Sequence, residues 1–389
     1  MKSLGIISEF NPFHNGHQYL LNKAKNELDT DLAISIMSGD FVQRGEAAIM
    51  DKFARAEVAI KSGFDMVIEM PCYVSLQAAE FFAFKSVFIL DKINVDYLVF
   101  GVENLDGNEF LENAKKVIKN STYIDKLTKK YLNDGFSYPK ARNKALEEFV
   151  GKKYLTSNNI LALEYVRAIN KLNSNMKPYP IRRIKTLNKD ENIYNSKFAS
   201  STAIRKNLDF NIKGLMPDES YQKLNNFLNT YKKFDDTLLY NIFRYKVIIE
   251  KEPMDKIIGY EEGLSSYLEN LAKVHVSNDD FLNDATSKRY TKSRIKRLIL
   301  NYILDNEKCL NEVDISFIKI LSYNKKATEY FGEMTNNINL IINKKDIYNL
   351  DKQNKLVYEK MIQASNIYSL GINRDFDLDY KHNNRPIGW

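Results

Sequence analysis

Apolar positions in the first hundred residues fall into short runs separated by stretches of a different rhythm. Leu4 to Ser8, Leu32 to Met37, Met66 to Met70 and Tyr97 to Phe100 are brief and rich in aliphatic side chains, which predicts β-strands. Between them, Gly16 to Leu28, Asp51 to Ser62 and Leu76 to Leu90 repeat apolar residues at intervals of three and four, the spacing of an amphipathic helix. Strand alternating with helix implies right-handed crossovers and an α/β fold: a doubly wound parallel sheet, Rossmann-like, with ligands beyond the carboxyl ends of its strands.

From about Phe110 the pattern turns helical and basic. Ser157 is expected to cap a helix from Asn159 to about Leu172, a strand is expected over Tyr179 to Lys185, and Ser200-Ser201-Thr202 is placed to cap another helix. Beyond residue 210 only helical spacing is found, as in Leu238 to Ile249 and Ser293 to Leu304. The expected division is therefore a catalytic domain over 1–208 and a mostly α-helical domain over 209–389.

A chain of 389 residues with 44% hydrophobic side chains has room for a sizeable core, which excludes wholesale disorder. Its two cysteines, Cys72 and Cys309, lie far apart and exclude a disulfide framework or a cysteine-based zinc cluster. No run approaches the roughly 18 apolar residues that span a bilayer, so the expectation is a cytoplasmic protein without membrane contact. The net charge of +7 is unevenly spread: residues 1–100 carry 9 basic and 13 acidic side chains, and residues 101–210 carry 21 and 12. A polyanion partner would meet the middle of the chain rather than its start.

Directly after the first strand comes Glu9-Phe10-Asn11-Pro12-Phe13-His14-Asn15-Gly16-His17, opening into a helix. Amides and the positive dipole end at a helix N-terminus favour phosphate, and two imidazoles add donors there. Gly16 is expected to let a nucleotide approach the backbone. Such a site stabilises charge developing at the α-phosphate of ATP without covalent participation by the protein. The same histidines would also serve a purely structural cap and core. Zinc is poorly supported, since Glu9, the nearest acidic residue, precedes the turn, and no metal site is expected.

The His14-Asn15-Gly16-His17 turn resembles the HxGH motif of the nucleotidylyltransferase superfamily, and Ser200-Ser201-Thr202 with Arg205 resembles its ISSTxxR motif. Met37 to Glu46, Asp51 to Ala56, Val67 to Pro71 and Phe100 to Glu103 are similar to the bacterial tRNA(Met) cytidine acetate ligase family over nearly the whole chain. That resemblance implies ATP-dependent activation of acetate as acetyl-adenylate, with release of pyrophosphate. Transfer to N4 of the wobble cytidine 34 of elongator tRNA(Met) then gives N4-acetylcytidine.

The implied ATP site comprises Ile7, Ser8, Glu9, Phe10, Asn11, Pro12, Phe13, His14, Asn15, Gly16, His17, Gln18, Tyr19 and Leu20, with Gly101, Asn159, Arg182 and Arg183, and the triphosphate contacts Ser200, Ser201, Thr202 and Arg205. Mg2+ would arrive carried by the triphosphate. His14 and His17 are the candidate catalytic groups; Ser38, Gly39, Asp40 and Arg44, beyond the second strand, are candidates to hold acetate or orient the base. Arg55 is expected to brace that loop by pairing with a carboxylate, and Phe53 stands where the family pattern leads one to expect Trp.

A second basic feature, Lys288 to Arg297, interleaves Lys288, Arg289, Lys292, Arg294, Lys296 and Arg297 with Tyr290 and suits an RNA backbone, although a solvated helix start has the same pattern. Two other readings stay open: a small-molecule adenylyltransferase and a non-catalytic RNA-binding protein. The oligomeric state is not legible.

Overall fold

A computed structural model describes residues 1–136, 138–184, 197–334, 338–382 and 386–387, without the side chains of Pro139 and Lys153. Seven strands form one sheet: β1 (Ser3–Ser8), β2 (Leu32–Ser38), β5 (Met66–Met70), β6 (Tyr97–Val102), β7 (Lys177–Arg182), β8 (Phe317–Tyr323) and β9 (Asn339–Ile341). A small hairpin of β3 (Phe41–Val42) and β4 (Glu46–Ala47) follows β2.

The spatial order is β7-β6-β1-β2-β5-β8-β9. β1 lies between β2 and β6, parallel to both, so the chain winds away from it in opposite directions. The loops after β1 and β6 therefore diverge and open a crevice at the carboxyl ends of those strands. The four predicted early strands are present. So are the helices around them, α1 (Asn15–Glu27) and α2 (Lys52–Lys61); the predicted Leu76 to Leu90 helix is Ala79–Lys92, preceded by a short separate helix, Cys72–Ser75. The strand expected over Tyr179 to Lys185 is β7; Lys185 lies outside the described residues.

The later half departs from expectation. It is rich in helix, but β8 joins the sheet antiparallel to β5, and β9 runs parallel to β8. Lys319 in the middle of Phe317–Tyr323 disguises this strand as a broken apolar run, yet every residue of it is buried. The lysine is matched: Lys52 Nζ lies 2.8 Å from Glu69 Oε1 and 2.6 Å from Asp379 Oδ1, and Lys319 Nζ lies 2.9 Å from Glu69 Oε2 and also pairs with Asp379. Two cations and two anions thus close a buried ring joining α2, β5, β8 and the C-terminal residues.

The helical region shares its core with the N-terminal half. Phe41, Met50, Cys72 and Leu76 pack in one cluster with Leu224, Phe243, Phe281, Leu298 and Tyr368. Part of the region beyond residue 208 thus shares a core cluster with the N-terminal residues Phe41, Met50, Cys72 and Leu76.

Candidate active site

The turn after β1 is anchored from below. Phe10 and Phe13 are buried with ring centroids 4.9 Å apart, Phe10 meets the edge of His17 at 5.1 Å, and Asn11 Oδ1 accepts the Ile49 N–H at 2.8 Å. On this base His14 caps α1: its Nδ1 accepts the Gly16 N–H at 3.0 Å, while Nδ1 of His17 accepts the His14 N–H at 3.2 Å. With both Nδ1 atoms accepting, each neutral ring carries its proton on Nε2. Burial and the nearby Arg183 lower the His14 pKa to about 3; His17 is held well below the usual range by burial, His14 and Arg183. The rings stack at 3.8 Å and 23°. They are neutral hydrogen-bond donors at physiological pH, not imidazolium cations.

A Cβ on Gly16 would lie 2.8 Å from His14 Cε1. The glycine makes room for the capping imidazole, a closer constraint than the nucleotide approach expected from sequence. Both histidines line a cleft of about 810 Å³ that opens where β1 and β6 diverge. Gly101 and Glu103 form its β6 side, Ser157 and Asn158 the start of helix Ser157–Lys171, and Arg182 and Arg183 the end of β7. Ser200 and Ser201 close it from the sequence's other motif. Asn15 ties that motif to the turn, donating from Nδ2 to the carbonyls of Lys197 at 2.7 Å and Gly214 at 2.9 Å.

A family model of HIGH nucleotidyl transferases matches residues 1–383. The tRNA(Met) cytidine acetate ligase of Thermosipho africanus is 37% identical, covering 95% of this chain and 95% of its own, and that of Caldicellulosiruptor bescii is 34% identical over 95% and 94%. The crystal structure of Thermotoga maritima TmcAL bound with alpha-thio ATP superimposes with a TM-score of 0.87 at 31% identity, covering 99% of each chain. The chain belongs to the tRNA(Met) cytidine acetate ligase family.

In this member of the ligase family, the cleft collects part of the site expected from sequence. Ile7, Ser8, Glu9, Phe10, His14, Gly16, His17, Tyr19 and Leu20 line it. Asn11, Pro12 and Phe13 are buried, and Gln18 turns to Asn22 and the Ser62 carbonyl, each at 2.9 Å. Gly101 accommodates the stem of Arg183, whose Cγ would lie 2.8 Å from an added Cβ. Asn159 is not on the wall: it is fully buried against Glu103, and Thr156, not Ser157, caps its helix. Ser200 Oγ accepts the Ala203 N–H at 3.1 Å. Thr202 and Arg205 lie outside the lining; Arg205 donates to the Asn11 carbonyl at 2.8 Å and reaches Glu46 at 3.6 Å, bracing the turn.

Arg44 lines the cleft, whereas Ser38 and Asp40 do not. Asp40 is buried with Oδ1 accepting the Lys52 N–H and Oδ2 accepting from Ser365, each at 2.8 Å, so it fastens the start of α2 to helix Lys352–Gly371. Burial raises its pKa to about 6. Arg55 braces the loop as expected but through carbonyls rather than a carboxylate: those of Glu9, Ser38, Gly39 and Met50. Phe53 stacks on His382 at 4.1 Å. Sequence reasoning passed over Gln43, Asn158, Tyr165 and Ser293, which also line the cleft; Gln43 lay inside a quoted motif, but nothing in the pattern singled it out.

The basic run divides. Arg289 and Arg294 both grip Glu261, at 3.2 and 2.5 Å, and Lys296 pairs with Glu46 at 2.9 Å. Arg297 enters the cleft wall. Lys288 and Lys292 stay exposed.

Proposed function

We propose that this chain is an ATP-dependent RNA-modifying ligase. A carboxylate oxygen of acetate attacks the α-phosphate of ATP, the bond to the β-phosphate oxygen breaks, and acetyl-adenylate and pyrophosphate result. N4 of cytidine 34 in elongator tRNA(Met) then attacks the acyl carbon and gives up a proton, AMP leaves, and N4-acetylcytidine remains. The observation that carries the reading is the stacked pair of neutral imidazoles at the N-terminus of α1, facing one cleft with Ser200 and Ser201. Their donors, with the helix dipole, favour the transition state over the ground state as charge builds on phosphate oxygens. The names of the relatives support the acceptor and the acetyl donor.

Mg2+ enters as part of the nucleotide substrate. The labour divides near residue 208: the preceding residues hold most of the ATP cleft, and the following helices supply exposed basic residues for tRNA. No helix among the described residues is long and apolar enough to cross a membrane, and the reading places the protein in the cytoplasm with tRNA.

Pyrophosphate exchange into ATP that requires acetate, followed by mass-spectrometric detection of N4-acetylcytidine in tRNA(Met), tests both steps. Exchange requiring nicotinamide mononucleotide or phosphopantetheine instead would establish a small-molecule adenylyltransferase. Absence of exchange and of modified cytidine would leave a non-catalytic RNA-binding protein.

A further inference from the structure

Helix Lys292–Ile303 carries a guanidinium into the cleft from a distant part of the chain. Arg297 is partly buried there and donates from Nη1 to the Gln43 carbonyl at 3.1 Å. Its closeness is built into the hairpin between β3 and β4. Gly45, at φ 74°, would place a Cβ 2.7 Å from the Arg297 backbone nitrogen, so a larger residue would push the helix away.

On the same hairpin Arg205 and Lys296 share Glu46, whereas the cleft-lining Arg44 and Arg182 hold no carboxylate among the described residues. Arg297 has no carboxylate within ion-pair distance among the described residues. Loss of water, with Arg294 nearby, pushes its pKa down to about 10. A guanidinium offers five N–H donors in a rigid fork, and a charge withdrawn from water without a counter-charge is costly until one is supplied.

We propose that Arg297 is an oxyanion-binding residue of the active site, gripping a carboxylate oxygen of acetate or a phosphate oxygen of ATP rather than the backbone of tRNA. The inference rests on the acetate-activating reading above and extends it to a residue from the helical half. The later part of the chain thereby completes the reactant site, not only the RNA surface.

The test is ATP–pyrophosphate exchange without tRNA, in full-length Arg297→Gln and Arg297→Lys proteins whose folding is checked by thermal unfolding. The glutamine variant is expected to lose about 10- to 100-fold in exchange, the worth of one charge-assisted hydrogen-bond set, and lysine to recover only part because it lacks the fork. A rise in KM confined to acetate places the grip on the carboxylate; one confined to ATP places it on phosphate. Exchange unchanged, with tRNA binding weaker and less salt-dependent, overturns the proposal. If the glutamine variant does not fold, unchanged exchange and KM values in the lysine variant overturn it equally. If the unsubstituted chain shows no acetate-dependent exchange, the functional reading fails. Arg297 is then judged by affinity for a non-hydrolysable ATP analogue, where a tenfold loss sustains the inference and no change ends it.

Discussion

The side-chain amide of Asn159 clasps the backbone of Glu103 from both directions, accepting its N–H at 2.8 Å and donating to its carbonyl at 2.9 Å. These bonds pin helix Ser157–Lys171 to the end of β6, beside the cleft. Asn159→Ala strips a donor and an acceptor of their partners and is expected to cost about 2 kcal/mol. The check is the urea midpoint at unchanged slope.

The capping imidazole sets a pH dependence. His14 is held neutral with a pKa of about 3, against an ordinary 6.5, so between those values the unfolded chain binds more protons than the folded one. Its contribution is fully present above about pH 6.5 and is lost as pH falls toward 3. Between pH 7 and pH 5 the unsubstituted chain should lose about 2 kcal/mol more than His14→Gln. Parallel stability curves for the two proteins would contradict the assignment.

Gly16→Ala should disturb ligand binding more than folding. The new methyl displaces the His14 ring, which has the open cleft to move into. Affinity for an ATP analogue is expected to fall by about tenfold, roughly the loss of one charged hydrogen bond. Calorimetric titration would measure it, with the melting temperature recorded alongside.

Lys319→Met leaves Glu69 and Asp379 sharing Lys52 alone in a buried site. Breaking such a set by removing one member is expected to destabilise by about 3–5 kcal/mol. Adding Asp379→Leu to Lys319→Met should restore part of that loss, which equilibrium unfolding of the single and double variants would show.

Lys288→Ala with Lys292→Ala removes two exposed charges that hold no carboxylate among the described residues. Acetyl-adenylate formation should be unchanged, while tRNA affinity falls and its logarithmic salt slope shrinks by about two. An unaltered slope would make these lysines a solvated face.

How much the sequence disclosed depends on whether a residue's task is local. The strands before Phe100, the helix opening at His14 and the cap at Ser200 follow from spacing and neighbouring residues, and all are present. β8 escaped because Lys319 breaks an apolar run, and only Glu69 and Asp379, far away in sequence, make that lysine at home in a core. The partners of Asp40, Ser365 and the Lys52 amide, are not legible in the sequence either. The split of the basic run likewise depends on Glu46 and Glu261, which no pattern within Lys288 to Arg297 contains.

The late strand has a consequence for how the protein comes to exist. As the chain leaves the ribosome, the residues that form the nucleotide turn emerge long before β8, and β5 has no neighbour on its outer side until Phe317–Tyr323 follows. Lys52 and Glu69 lack half of their counter-charges until Lys319 and Asp379 arrive. Premature termination anywhere before those residues would release a sheet with an open apolar edge, prone to pair with other copies. The nucleotide turn thus rests on a sheet that stays incomplete until Lys319 and Asp379, far along the chain from it, are in place.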